Sequence, residues 1–267
     1  MKLQTLFLSV VMIATLIPAC KKDKSVPDNN HDELLGPETS KVLHYNFNNN
    51  IDDGSGKGNN AISTQNTNFV ADRFNRIGQA IYFQGESVNS NVITPNLSTE
   101  EIGFPFSVSF WFKADTIYTG ETLFRADGGE SSLYYGFWGQ FISSNESAPG
   151  TQAIAFNFGD GTGSNSNARR TIFSPENIFN TNEWFHIVVN VSGYAPEEME
   201  MYVNGTKVEN PRIEGNAQSI VFSQNGGGIM GRHINGQKYK GALDDYRIYK
   251  KTLTQAEVNT LYNFQPE

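Results

Sequence analysis

The chain has 267 residues, 12% of them aromatic and 18% charged, with 25 glycines, a mixture that suits an all-β domain better than a helical one. A formal net charge of -8 argues against nucleic-acid binding through a phosphate-neutralising surface, and is compatible with neutral sugars or divalent cations. The single cysteine, Cys20, excludes an intrachain disulfide framework and any multi-cysteine zinc site.

In the first segment, Met1 to Cys20, one lysine precedes an apolar run from Leu6 to Ile17 that is too short to span a bilayer comfortably. The segment resembles a bacterial lipoprotein signal, with Ile17-Pro18-Ala19-Cys20 in the lipobox position. The resemblance implies removal of residues 1–19, lipidation of Cys20 and a lipid anchor as the only membrane attachment. Lys21 stands where an aspartate would mark inner-membrane retention, so the expected location is the outer membrane, on its periplasmic or cell-surface side. Residues 20–41 are polar, contain two prolines and show no period, and so read as a flexible tether. His31 and His44 have no second ligand at metal-like spacing and read as solvated.

From residue 42 to 267 the pattern is strands and turns. Val42 to Phe47 alternates and runs into IDDGSGKGNN, a loop by its Asn, Asp and Gly content. Gly78 to Gly85 is a short strand. Phe104 to Ala114 places Phe106, Val108, Phe110 and Phe112 on one face, and Trp184 to Val191 does the same with Phe185, Ile187, Val189 and Val191. Shorter strands are expected at Leu123 to Arg125, Leu133 to Phe141 and Ala153 to Phe158. Met199 to Val203 leads into Asn204-Gly205, a strong hairpin signal because both residues tolerate positive φ, with a further strand near Lys207. The stretch from Tyr239 to Tyr262 opens with the last strand, which carries Asp244 and Asp245. A short helix follows, opened by the capping box Thr254-Gln-Ala-Glu257. Many short strands with one terminal helix describe an all-β jelly-roll sandwich.

Six segments occur in one order: LHYNFNNNIDDGSGKGNN, VADRFNRIGQAIYFQG, FSVSFWFKA, NEWFHIVVNV, MEMYVNGTKV and YKGALDDYRIYKKTLTQAEV. Together, over Val42 to Tyr262, they closely resemble the laminin-G-like domains of bacterial surface proteins, within the concanavalin A-like lectin/glucanase fold. The resemblance implies a sandwich of two antiparallel sheets with ligand sites on a concave face or among rim loops. It also implies a structural calcium (Ca2+) tying the first loop to the last strand. The expected ligands are Asp53 or Asp52 with Asn60 in the loop, and Asp244 or Asp245 in the strand. Strict alternation would send the two strand acids to opposite faces, and the resemblance favours Asp244.

Glucanases of this fold carry paired glutamates at alternate strand positions, a spacing that suits glycoside hydrolysis. No such motif occurs here. Glu197, Glu198 and Glu200 read as solvated charges on an exterior strand edge, and neither G-x-S-x-G nor H-E-x-x-H is present. The expectation is a non-catalytic domain binding a polysaccharide or oligosaccharide; the alternative is a protein-binding adhesin or assembly module. In LYYGFW, Tyr134 and Trp138 share the face opposite Leu133, Tyr135 and Phe137, one set being core and the other available for stacking on a sugar. Arg232 and His233 follow a glycine run and are expected on a rim, and Arg125 and Asp127 are expected on a rim likewise. Trp111 and Trp184 read as structural.

Overall fold

Alternating apolar residues bury one face of each strand, and two such faces stacked together make the core. A computed structural model describes residues 40–127, 133–143, 152–223, 227–233 and 237–265. Cys20, the tether and His31 lie outside the described residues, which all belong to one unit, His31–Glu267. The first sheet contains β1 (Lys41–Tyr45), β3 (Thr67–Val70), β4 (Ala80–Gln84), β6 (Phe106–Ala114), β11 (Trp184–Val191), β12 (Met199–Val203), β13 (Thr206–Lys207) and β16 (Lys240–Tyr249). The second contains β2 (Ser63–Gln65), β5 (Asn91–Ile93), β7 (Thr122–Arg125), β8 (Phe137–Ser143), β9 (Gln152–Gly159), β10 (Arg169–Phe173), β14 (Ile213–Gly215) and β15 (Ile229–Met230).

In space the first sheet runs β13-β12-β11-β6-β16-β4-β3, with β1 also on β16, and the second runs β14-β10-β9-β8-β7-β15-β5-β2. All strand pairs are antiparallel, as expected for a jelly-roll sandwich. The predicted apolar faces of β6 and β11 meet Phe137, Phe141, Phe156 and Ile172 of the second sheet in one core. Aromatic rings cross between the sheets, with Phe110 4.9 Å from Phe124 and Phe112 5.6 Å from Phe141, both edge-on. Each such pair adds about 0.5–1.5 kcal/mol beyond burial. Asn204 (φ 49°) and Gly205 (φ 78°) make the predicted hairpin turn between β12 and β13.

Two helices complete the described fold, α1 (Thr99–Ile102) and α2 (Gln255–Asn263). The predicted capping box opens α2: Thr254 Oγ1 accepts from Glu257 N, and Glu257 Oε2 accepts from Thr254 N at 2.8 Å. Val258 and Leu261 of α2 pack with Val188, Tyr202 and Tyr249, outward-facing residues of the first sheet. Asn190 fixes the approach of the chain to α2, accepting from Leu253 N at 3.0 Å and donating to Leu253 O at 2.8 Å. The polar positions of β6, Ser107 and Ser109, are therefore buried as completely as its phenylalanines.

Candidate functional site

The residues expected to bind calcium are engaged otherwise. Asp53 Oδ1 accepts from the backbone N–H groups of His44 and Ser55, each at 2.9 Å, and Oδ2 from Ser55 Oγ at 2.7 Å and Asn59 N at 2.9 Å. These donors hold the Asp53 carboxyl below its ordinary range against the opposing effect of burial. Asn60 Oδ1 faces the Asp53 N–H at 2.8 Å, and Asp52 is exposed.

Asp244 and Asp245 do not point to opposite faces, which corrects the alternation argument. Asp245 sits at φ 50° in a break of register between Asp244 and Arg247, and this bulge turns both carboxylates toward one guanidinium. Arg73 Nη1 donates to Asp244 Oδ2 at 2.7 Å and Arg73 Nη2 to Asp245 Oδ2 at 2.9 Å. Asp245 Oδ1 also accepts from Arg247 Nη2 at 2.9 Å and lies 3.1 Å from His44 Nε2. Arg247, His44 and Arg73 hold the buried Asp245 well below the usual carboxylate range. Arg73 is presented by its own turn, where Asp72 accepts from Phe74 N and Arg76 N at 2.9 Å.

The Asp53 oxygens thus face N–H and O–H donors, and those of Asp244 and Asp245 already face cations. This donor set does not fit a calcium shell, which needs free oxygens converging on the ion. Among the described residues no group of three or more His, Cys, Asp or Glu could hold a metal.

Arg73 also lies over the ring of Trp111 at 4.6 Å. Trp111 stacks on His186 (5.0 Å) and on Tyr262 of α2 (5.7 Å). Burial, helped by the charges of Arg247 and Arg73, pushes His186 down to about 3. A cleft of about 410 Å³ remains beside this stack, walled by Phe74, Trp184 and Tyr262. Both tryptophans expected to be structural line this cleft, Trp111 buried and Trp184 half-buried.

The second sheet's outward face carries a larger cleft, of about 980 Å³, and it brings together Tyr134, Trp138 and His233 of the predicted ligand set. Phe137 is a core residue and Trp138 lines the cleft, whereas Leu133, Tyr134 and Tyr135 are all half-buried ahead of the strand and do not divide into a core set and an outer set. Tyr134 reaches Trp138, ring centres 5.2 Å apart, from a loop rather than from the strand, because β8 begins only at Phe137. Tyr134 N donates to Gly163 O at 2.9 Å and Gly161 N to Tyr134 O at 2.8 Å. A Cβ on Gly159 would lie 2.2 Å from Tyr134 O, so this close approach needs glycine.

Trp138 is 4% exposed and forms a floor rather than an open platform. Arg125 lies over the Trp138 ring at 5.2 Å and Arg169 over the Tyr134 ring at 5.5 Å. Arg125 Nε donates to Asp127 O at 3.1 Å and Arg125 Nη1 to His233 Nε2. Burial, with the Arg125 charge beside it, pushes His233 down to about 4. Asp127 is buried at the cleft's back rather than on a rim, its carboxylate accepting from Ser223 N and from Ser223 Oγ at 2.8 Å. Arg232 bridges to Lys238 and is not among the lining residues.

Sequence reasoning missed Tyr118, Gln140, Arg169 and Gln237, which line the same cleft. Tyr118 is 60% exposed and is the open ring of the site. Its loop is held by Glu121, whose carboxyl accepts from Tyr118 N (2.9 Å) and Thr116 Oγ1 (2.8 Å) and which burial raises to about 7. An exposed tyrosine in a short connection gives no periodic signal, so nothing in the sequence marked it.

Residues 88–259 match a family model described as the concanavalin A-like lectin/glucanases superfamily. A comparison with curated proteins found no match. Among solved structures the chain is similar to domain 4 of an extracellular arabinanase from Geobacillus stearothermophilus, in complex with arabinotriose. That match has a TM-score of 0.57 and 19% identity, and covers 84% of this chain and 98% of the other. The binding domain of botulinum neurotoxin DC in complex with SialylT matches with a TM-score of 0.59 and 18% identity over 85% of this chain. The binding domain of Paraclostridial Mosquitocidal Protein 1 matches with a TM-score of 0.57 and 18% identity over 85% of this chain. This chain spans about half of those two longer chains, 52% in each case. These likenesses show the fold.

Proposed function

The chain belongs to the concanavalin A-like lectin/glucanases superfamily, and from that premise we propose that it is a non-catalytic carbohydrate-binding domain. The observation that carries the reading is the cleft in which Tyr118, Tyr134 and Trp138 surround planar hydrogen-bonding groups of Gln140, Arg169 and Gln237. Sugar rings pack their C–H faces on aromatic surfaces while their hydroxyls pair with planar amide and guanidinium groups, and the cleft offers both within one oligosaccharide's reach. The arabinotriose bound to the similar arabinanase domain supports the same class of ligand. The absence of a strand glutamate pair in the sequence supports binding without hydrolysis.

The Met1 to Cys20 pattern supports a lipid-anchored product held at the outer membrane through Cys20. Incorporation of labelled fatty acid, abolished by Cys20→Ala, tests the anchor. A glycan array read with wild type, Tyr134→Ala and Trp138→Ala tests the binding reading. Binding to at least one glycan, weakened in both variants while their folding is retained, is the expected result. Binding that is unchanged in both would place the site elsewhere.

A further inference from the structure

Two cationic side chains of the cleft, Arg125 and Arg169, have no carboxylate within ion-pair distance among the described residues, although the charge of Asp127 is felt at Arg125. Among the described residues, the ion pairs of arginines involve Arg73, Arg76, Arg212 and Arg247, and neither Arg125 nor Arg169 is in one. Arg125 is 6% exposed, and its guanidinium meets a backbone carbonyl, a neutral imidazole and the Trp138 ring. The neighbouring Asp127 carboxylate is taken up by Ser223. Arg169 donates one N–H to Tyr134 Oη at 3.2 Å, while its Nε is buried without a partner. The one acid lining the cleft, Glu86, accepts from Lys238 N at 2.6 Å, with Lys238 Nζ 3.9 Å from its other oxygen.

Removing a guanidinium from water without an anion is unfavourable, and the opposite face shows the usual remedy, where Arg73 meets two carboxylates. In the cleft the two guanidiniums rest on rings whose centres are only 5.2 Å apart, beside open space. The protein as a whole carries a formal charge of -8, so its overall field does not favour an anion and any preference for one must arise in this cleft. Accepting the saccharide reading above, we propose that the ligand is an acidic oligosaccharide, one with uronic-acid units whose carboxylates pair with Arg169 and Arg125. A guanidinium matches a carboxylate with two parallel N–H donors, a geometry a neutral hydroxyl cannot reproduce.

The test is isothermal titration of the folded chain with oligogalacturonate, oligoalginate and hyaluronan fragments, each beside its carboxyl-reduced neutral form. At least one uronate should bind, carboxyl reduction should weaken it tenfold or more, and raising sodium chloride from about 50 to 500 mM should weaken it as well. Arg169→Gln should weaken uronate binding at least tenfold and Arg169→Lys less, with thermal unfolding used to confirm that both fold. If a variant does not fold, the paired wild-type titrations decide alone. Equal affinity for a uronate and its reduced form, or binding of neutral forms only, overturns the acidic ligand and leaves the saccharide reading standing. Binding of no saccharide in the panel overturns both.

Discussion

The two outward faces of the sandwich carry the same small device, an arginine lying over a tryptophan: Arg73 over Trp111 at 4.6 Å, and Arg125 over Trp138 at 5.2 Å. Their surroundings differ. On the first sheet the guanidinium is answered by Asp244 and Asp245, and Tyr262 of α2 closes over the indole. On the second sheet the guanidinium meets a backbone carbonyl and an imidazole, with no carboxylate in ion-pair contact among the described residues, and a cleft of about 980 Å³ stands open beside it. A cation–π contact is therefore not by itself a sign of recognition. What differs between the faces is the internal counter-charge, and on the function proposed above that difference marks the face that receives the saccharide.

The largest expected effect tests the cohesive face. Arg73→Met leaves two buried carboxylates without their shared cation and should cost about 3–5 kcal/mol in urea unfolding. Adding Asp244→Asn should recover part of that loss. A change of less than about 1 kcal/mol would mean that the network is not what holds this face together.

Acid should act on the same face next. Because the folded chain holds His186 at about 3, the unfolded chain takes up the extra proton as pH falls through about 6.5. The stability His186 contributes is thus present above that pH and lost below it, by about 2 kcal/mol between pH 7 and pH 5. Unfolding curves of His186→Gln should show a flatter acid side, and an unchanged slope would refute the assignment.

On the open face the separation between binding and stability should be visible in one residue. Tyr118→Ala should change stability by less than about 0.5 kcal/mol, since the ring is 60% exposed. Its loss should weaken saccharide binding by about 1 kcal/mol, roughly fivefold, read by titration. The smallest effect concerns calcium. Chelator followed by excess calcium should leave the melting temperature unmoved, because Arg73 already faces the carboxylates a metal would need. A rise of several degrees on adding calcium would revive the metal expectation.

The sheets were legible because their signals are local. The 2-residue period of Phe106 to Phe112 and of Phe185 to Val191, the Asn204-Gly205 turn and the Thr254 to Glu257 box each act within a few residues. The sites were legible only in part. Tyr134 and Trp138 stand out because five consecutive residues hold both rings, but the partners that give them meaning, Arg125 and Arg169, lie on other strands. The pairing of Arg73 with Asp244 spans 171 positions, and periodicity says nothing about such a contact. The Asp pair was misread for a different reason, since a single residue in positive φ reverses the face that alternation assigns.

The central position of β16 bears on how such a chain is made. It pairs with β6 along one side and with β4 and then β1 along the other, yet it follows all three of them in the chain. Until residues 240–249 are synthesised, the first sheet is two separate ribbons and the lone strand β1, all with unsatisfied edges. The first sheet is therefore completed late, by pairings of long sequence separation that form slowly. Stop codons upstream of β16 should give products that aggregate, whereas a chain carried unfolded across a membrane loses nothing by waiting.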